Sequence, residues 1–341
     1  MRKLLALVLL LCSVAQAQDS LLVKIANWKD DKKAAIVFTF DDWSPGHGTI
    51  VYPLFKKYDL KATFFVTLKN KDLGGGFETM KSAYADGFEI GNHTHTHADL
   101  SQLSPTELHK EVTEAQEVLR QAIHPKCANT FAYPFGIYNP KVLSKTKETH
   151  IAARGANLSY GRMWSYSLMF GKTDYFQLQT FMARDIYTPQ TYSRLATSAA
   201  DQGGMIVFMY HSIFNDSIND KWFGPISESL LEAHVKAIKK HQDSIWITTF
   251  ENAVMYHKEK ANTQLDVQKN DKVLNVRLTN SLNKNQYFQP LTVVLEGIDV
   301  LKIKGIIDKN TGREIYCTKF DSEHKIQFNI LPFDSEILVE F

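Results

Sequence analysis

Short apolar runs punctuate most of this chain. They fall at residues 35–40, 62–66, 88–91, 129–133, 151–153, 205–210 and 244–248. Continuous runs of this length fit strands buried on both faces, as in a parallel sheet. Amphipathic stretches lie between them. Ser104-Pro105-Thr106-Glu107 is a capping box with proline at the first helical position. Leu108, Val112, Ala115, Leu119 and Ala122 then recur at helical spacing. A second such helix is predicted over about 229–241. Strand–helix alternation repeated about seven times predicts an α/β barrel or a doubly wound sheet.

The polar residues favour the barrel. Asp41-Asp42, His93 and His97, the turn Tyr133-Pro134-Phe135-Gly136, and His211 each follow the end of an apolar run. Barrel enzymes build their sites on that face, from the ends of several strands. After about residue 262 the pattern changes to alternating segments at 272–278, 291–295, 302–307, 326–330 and 336–341, split by polar turns. These predict a small antiparallel, sandwich-like β domain. The expected division is a barrel over 18–262 and a β domain over 263–341, with a linker at 258–263.

The chemistry gathers at the predicted strand ends. A single Asp after a strand is commonly a helix N-cap. Two adjacent acids point to different sides, so one of Asp41 and Asp42 can bind a metal while the other faces a nucleophile. His93 and His97 are four apart, a spacing that in a helical turn places both imidazoles on one side. One carboxylate and two imidazoles form a ligand set that leaves positions open for water and substrate. His95, between them, is expected to point away. His211 would share the barrel mouth, where it could act as an acid or base. The aromatic turn 131–136 is a candidate pocket wall, carrying Tyr133 and Phe135 and a backbone N–H aimed at an oxyanion. Trp43, Phe135, Tyr138 and Trp222 lie in or near these loops and are candidate flat aromatic faces for a ligand.

Composition narrows the partners. The chain has 341 residues, 44% hydrophobic and 22% charged, enough for one large and one small domain. Met1-Arg2-Lys3, the apolar run 4–11 and Ala15-Gln16-Ala17 read as a signal peptide over 1–17, and predict a secreted or periplasmic protein. The apolar run is too short to span a bilayer. Cleavage after Ala17 removes Arg2 and Lys3, leaving 37 basic against 37 acidic residues. A neutral chain argues against nucleic acid as a partner and fits a neutral substrate. Cys127 and Cys317 lie far apart, and export permits a disulfide without requiring one.

Thr39-Phe40-Asp41-Asp42, His93-Thr94-x-x-His97, Tyr133-Pro134-Phe135-Gly136 and Tyr210-His211 resemble, in order and approximate spacing, the motifs of the polysaccharide deacetylases. These are the family-4 carbohydrate esterases with a NodB-like domain. The resemblance covers about residues 30–258. It implies a distorted (β/α)7 barrel and a divalent ion, usually zinc. It implies Asp41 as general base, Asp42, His93 and His97 as metal ligands, and His211 as general acid. The Phe135 amide would complete an oxyanion hole.

Two departures stand out. Many members carry an arginine that orients the base where this chain has Ala132; Arg154 or Arg184 could replace it. An acidic-tryptophan motif is not recognisable around 162–170. The implied substrate is an N-acetylated glycan, with an O-acetyl glycan such as acetylxylan as the first alternative. A catalytically dead carbohydrate-binding protein is the second, and the intact Asp41, Asp42, His93, His97 and His211 argue against it. No protein partner is implied.

Overall fold

The computed structural model describes residues 21–155, 174–270 and 272–341. The signal-peptide reading and the region of the missing acidic-tryptophan motif lie outside the described residues. Each predicted apolar run is a strand. In chain order the strands are β1 Leu22–Ile25, β2 Ala34–Asp41, β3 Thr63–Val66, β4 Glu89–Asn92, β5 Thr130–Ala132, β6 Ala152–Arg154, β7 Phe181–Met182 and β8 Met205–Tyr210. Next come the short pair β9 Ile213–Phe214 and β10 Ile226–Ser227, then β11 Ile245–Thr248.

One parallel sheet runs in the order β6-β5-β4-β3-β2-β8-β7. The lower half of β2 pairs with β11, and its upper half with β3. This curled seven-strand order with an added β11 bears out the barrel expectation. All eight residues of β2 are buried, so the strand can carry almost no polar group. Its threonine, Thr39, places its hydroxyl on the Phe208 carbonyl at 2.9 Å. The capping box at Ser104 forms as read, and Leu108, Val112, Ala115 and Leu119 are buried.

The C-terminal region adds β12 Thr263–Lys269, β13 Val273–Asn280, β14 Leu291–Glu296, β15 Gly305–Asp308, β16 Arg313–Glu314, β17 Cys317–Phe320, β18 Lys325–Ile330 and β19 Ser335–Glu340. They form two antiparallel sheets, β12-β13-β19-β15-β16 and β1-β14-β18-β17. Alternate residues of β13, β14, β18 and β19 meet in a shared core that includes Val276, Val293, Phe328 and Val339. The sandwich is therefore as read, with one difference. Strand β1, counted with the barrel from sequence, pairs with β14 from Leu22↔Glu296 to Ile25↔Val293.

The expected linker at 258–263 is corrected. Helix Phe250–Ala261 runs through it, and one residue later β12 begins. That helix is a wedge between barrel and sandwich. Tyr256 donates its hydroxyl proton to the Ala26 carbonyl at 3.1 Å and accepts the Thr292 N–H at 3.3 Å. Glu259, fully buried, accepts the Gln289 N–H. Trp28, Tyr256, Tyr287 and Leu291 belong to one apolar cluster with β2 and β8 residues. Polar composition at a helix end resembled a linker, but the apolar face of the same helix fixes it in place. Cys127 and Cys317 are both free thiols.

Candidate metal centre and active site

Three loops at the C-terminal ends of the strands carry unusual backbone. Among the described residues, eleven non-glycine residues have positive φ, and five of them are Asp42, Trp43, Thr94, His97 and Phe135. Such conformations cost about 1–3 kcal/mol each and persist only where surrounding contacts impose them. The contacts here are specific. Asn70 donates to the Asp42 carbonyl at 2.9 Å, and the Trp43 indole N–H to the Leu73 carbonyl at 2.8 Å.

The His93–His97 loop is not helical, which corrects the basis on which the spacing was read. Left-handed turns at Thr94 (φ 72°) and His97 (φ 65°) bring the two rings together, with centroids 4.8 Å apart. Glu111 braces this turn. It is buried, and its carboxylate accepts the N–H groups of His95 and Thr96 at 2.9 and 2.8 Å and the Thr96 hydroxyl at 2.6 Å. Leu68 and Lys69 donate backbone bonds to Thr94 and His95 from the β3 side. His95 is not among the residues lining the site cavity.

His93 and His97 converge on Asp42. The Asp42 Oδ1 atom lies 3.7 Å from His93 Nε2 and 3.5 Å from His97 Nε2. The three ligand atoms all fall within 4.8 Å of one another. His93 Nδ1 is 2.7 Å from the Ala132 carbonyl, which can only accept, so the ring proton sits there and Nε2 presents a lone pair. Burial first, and His93 beside it, push the His97 imidazole down to about 4. A carboxylate and two imidazoles whose ligand atoms converge this closely fit a divalent ion.

Asp41 is buried at the end of β2, beside this set. Arg154, from the end of β6, donates through Nη2 to Asp41 Oδ1. This resolves the choice left open in the sequence: Arg154 stands where the Ala132 position cannot serve, and Arg184 does not line the cavity. Burial would raise the Asp41 carboxyl, but the Arg154 guanidinium, with His93 and His211, outweighs it and holds Asp41 below its ordinary value. With Oδ1 taken, Oδ2 faces the site centre, 3.9 Å from His93 Nε2 and 4.0 Å from His211 Nε2. Burial lowers the His211 imidazole, and the Asp41 and Asp42 carboxylates pull it back up.

These side chains floor a cavity of about 720 Å³, well within the range of small-molecule sites. Its walls are Phe135, Ile137, Met182, Met209, Trp222 and Phe223. Phe135 is 54% and Trp222 57% exposed, so both rings are available at the mouth. The Phe135 ring stands edge-on to His97 at 4.6 Å. Its N–H is left out of the turn bonds, which run from Gly136 to Tyr133 and from Ile137 to Pro134. Tyr133 lines the cavity but is almost wholly buried.

Two aromatic expectations need correction. Trp43 is fully buried, packed against His47 and Phe64 under the Asp42 loop, and cannot stack on a ligand. Tyr138 packs against Tyr133, 4.7 Å between centroids, and does not line the cavity. Sequence reasoning also passed over Glu111, Met182, Met209 and Phe223. Phe223 follows Trp222 directly and was the most legible of these. Glu111 had no local signal, because its partners are 15 and 16 residues away.

Residues 29–153 match the family model described as polysaccharide deacetylase. The match ends one residue before Arg154 and well before His211. Over this stretch the chain is similar to the polysaccharide deacetylases. It is 32% identical over 120 residues to a chitooligosaccharide deacetylase of Bradyrhizobium sp. (strain ANU 289), covering 35% of this chain and 54% of that protein. It is 27% identical over 289 residues to a gellan lyase of Bacillus sp., covering 79% of this chain and 11% of that protein. The chain thus spans about half, or much less, of the length of these relatives. Among solved structures it is similar to the Xyl-CE4 domain of a multidomain xylanase from the hindgut metagenome of Trinervitermes trinervoides. That likeness has 17% identity and a TM-score of 0.44, covering 64% of this chain and 89% of that one. No helix among the described residues is long and apolar enough to cross a membrane.

Proposed function

We propose that this protein is a divalent-metal-dependent hydrolase that removes acetyl groups from an N-acetylated glycan outside the cytoplasm. The observation that carries this reading is the convergence of Asp42, His93 and His97 beside a separate carboxylate, Asp41, whose outer oxygen Arg154 holds. Asp42, His93 and His97 would hold the ion, for which zinc is the expected occupant given two imidazoles and one carboxylate. When bound, such an ion acidifies water and polarises a carbonyl.

The chain's own residues supply the rest. Asp41 Oδ2 takes the proton of the attacking water, and its ionised state is secured by Arg154. The Phe135 N–H donates to the tetrahedral oxyanion. His211, across from Asp41, protonates the departing nitrogen, without which amine expulsion is slow. Exposed Trp222 and Phe135 offer flat apolar faces to sugar rings at the mouth. The β sandwich contributes no residue to the cavity and supports the barrel from its far end.

The test is acetate release from a panel of N-acetyl chito-oligosaccharides and from acetylxylan, with chelator and with zinc restored. Chelator-sensitive release from the amide substrates is expected. Release only from acetylxylan moves the assignment to an O-acetyl esterase. No release from either, with zinc bound, leaves a carbohydrate-binding protein and overturns the proposal.

A further inference from the structure

The β2 and β8 strands run side by side only as far as Phe40↔Tyr210. Beyond that pair the chain diverges into two loops. One carries Asp41 and Asp42; the other carries His211. Two buried side chains that line no part of the cavity sew these loops together. His47 is fully buried. Its Nδ1 accepts the Ser44 N–H at 3.2 Å, so its proton is on Nε2, which donates to the His211 carbonyl at 2.7 Å. Asp220 is also fully buried, and its Oδ2 accepts the N–H of Gly46 at 3.1 Å and of Ile213 at 3.3 Å. Each side chain therefore grips one backbone group on either loop.

The loops are in backbone contact between these two grips. A Cβ placed on Gly46 would lie 2.0 Å from the Ile213 carbonyl oxygen, a distance no side chain tolerates. Glycine at 46 is what lets the loops close. The ladder alone leaves the spacing beyond Phe40 and Tyr210 undetermined. A 1 Å error there is enough to cost about 10²-fold in rate.

We propose that His47 and Asp220 form a clamp across the two loops that sets the position of the His211 acid relative to Asp41. They are positioning residues, and the idea rests on the acid role given to His211 above. The clamp acts on the His211 side. The Asp42, His93 and His97 set is anchored separately, through Asn70, Glu111 and the Ala132 carbonyl. Loosening the clamp should therefore harm leaving-group protonation before it harms metal binding or water attack.

That separation gives the experiment. An N-acetyl chito-oligosaccharide needs a proton on its leaving nitrogen, whereas 4-nitrophenyl acetate expels a stable phenolate and does not. Zinc-loaded wild type is measured first on both. His47→Leu removes both hydrogen bonds; Gly46→Ala forces the loops apart by its clash with the Ile213 carbonyl while leaving His47 and Asp220 themselves unsubstituted; His47→Gln restores a donor and an acceptor. For His47→Leu and Gly46→Ala, kcat on the amide should fall about 10²-fold, with KM and zinc content unchanged and kcat on the aryl ester within about threefold. His47→Gln should recover part of the amide rate. Equal losses on both substrates would mean that the clamp merely holds the site together, and would overturn the proposal, as would unchanged amide turnover. If His47→Leu does not fold, Gly46→Ala decides by the same criterion. A zinc-loaded wild type inactive on the amide refutes the deacetylase reading itself, and with it any role for the clamp in catalysis.

Discussion

The two ends of the barrel hold carboxylates in opposite states. At the mouth, Asp41 is buried among Arg154, His93 and His211, and is held ionised below its ordinary range. At the floor, Glu89 is buried and Glu251 half-buried among hydroxyls and amides. Glu89 accepts from Thr63 and Thr130, and from the Glu251 N–H at 2.7 Å. Glu251 accepts from Asn129 at 2.6 Å. The cation on that side, Arg120, is spent on Asn129 at 2.8 Å. Burial first, and then the neighbouring Glu89, push Glu251 up to about 8, and burial raises Glu89. The same strands carry both ends: β4 begins at Glu89 and runs into His93. Burial raises a carboxylate, and at Asp41 the cation delivered from another strand is the largest influence that holds it down. One end is thereby fitted for proton transfer and the other for holding the barrel together.

The sharpest way to break this comparison is to remove what the floor supports. A chain ended after Glu259 loses β14, the partner of β1, and uncovers Trp28 and Tyr256. It should aggregate, seen by size-exclusion chromatography. A soluble monomer with native circular dichroism would show the sandwich to be dispensable. Next in size is Asp41→Asn, which keeps shape but cannot take a proton. Acetate release should fall by about 10²–10⁴ while zinc stoichiometry stays at wild type. Full activity would remove Asp41 from the mechanism.

Arg154→Met tests the cation itself. Without it the Asp41 carboxyl rises, so the acid limb of the pH–rate profile should move to higher pH. The unpaired buried charge should also cost about 3–5 kcal/mol in urea denaturation. An unmoved acid limb would mean that Arg154 does not set the Asp41 state. The two tryptophans separate support from surface. Trp43→Ala should lose about 3–5 kcal/mol of stability, whereas Trp222→Ala should leave the melting temperature alone and raise KM severalfold.

The smallest effect is one of sign. Glu251 has its folded pKa raised from 4.5 to about 8. Its contribution to stability is therefore complete below about pH 4.5 and lost as pH rises through about 8. Asp41, lowered, does the reverse: its contribution is present above 3.8 and lost as pH falls below it. Glu251→Gln keeps the acceptor for Asn129 and should flatten the alkaline slope of melting temperature against pH. An unchanged slope would place the floor titration elsewhere.

Much of this was legible in sequence for a local reason. A strand buried on both faces must be apolar throughout, so β2, β3, β4, β5, β6, β8 and β11 announce themselves as runs. A polar cluster just beyond such a run, as at Asp41-Asp42, His93–His97 and His211, must lie at one rim. Strand β7 is only two residues long and gave no run to read. Strand β1 was assigned to the nearer domain because sequence distance stood in for spatial distance. Trp43 was read as surface because it adjoins a motif, yet the left-handed turn at Asp42 and Trp43 rotates its indole beneath the loop.

The sequence by itself determined the strands, their parallel sense and the residues able to bind a metal, because each is written in contiguous residues and their periodicity. The tertiary structure decided which of two arginines meets Asp41, how a non-helical turn brings His93 and His97 together, and which aromatic rings reach the cavity. It also decided that His47 and Asp220 join loops more than 160 residues apart. These are distances between segments remote in the chain, set by sheet order and packing, and no local pattern of residue types encodes them.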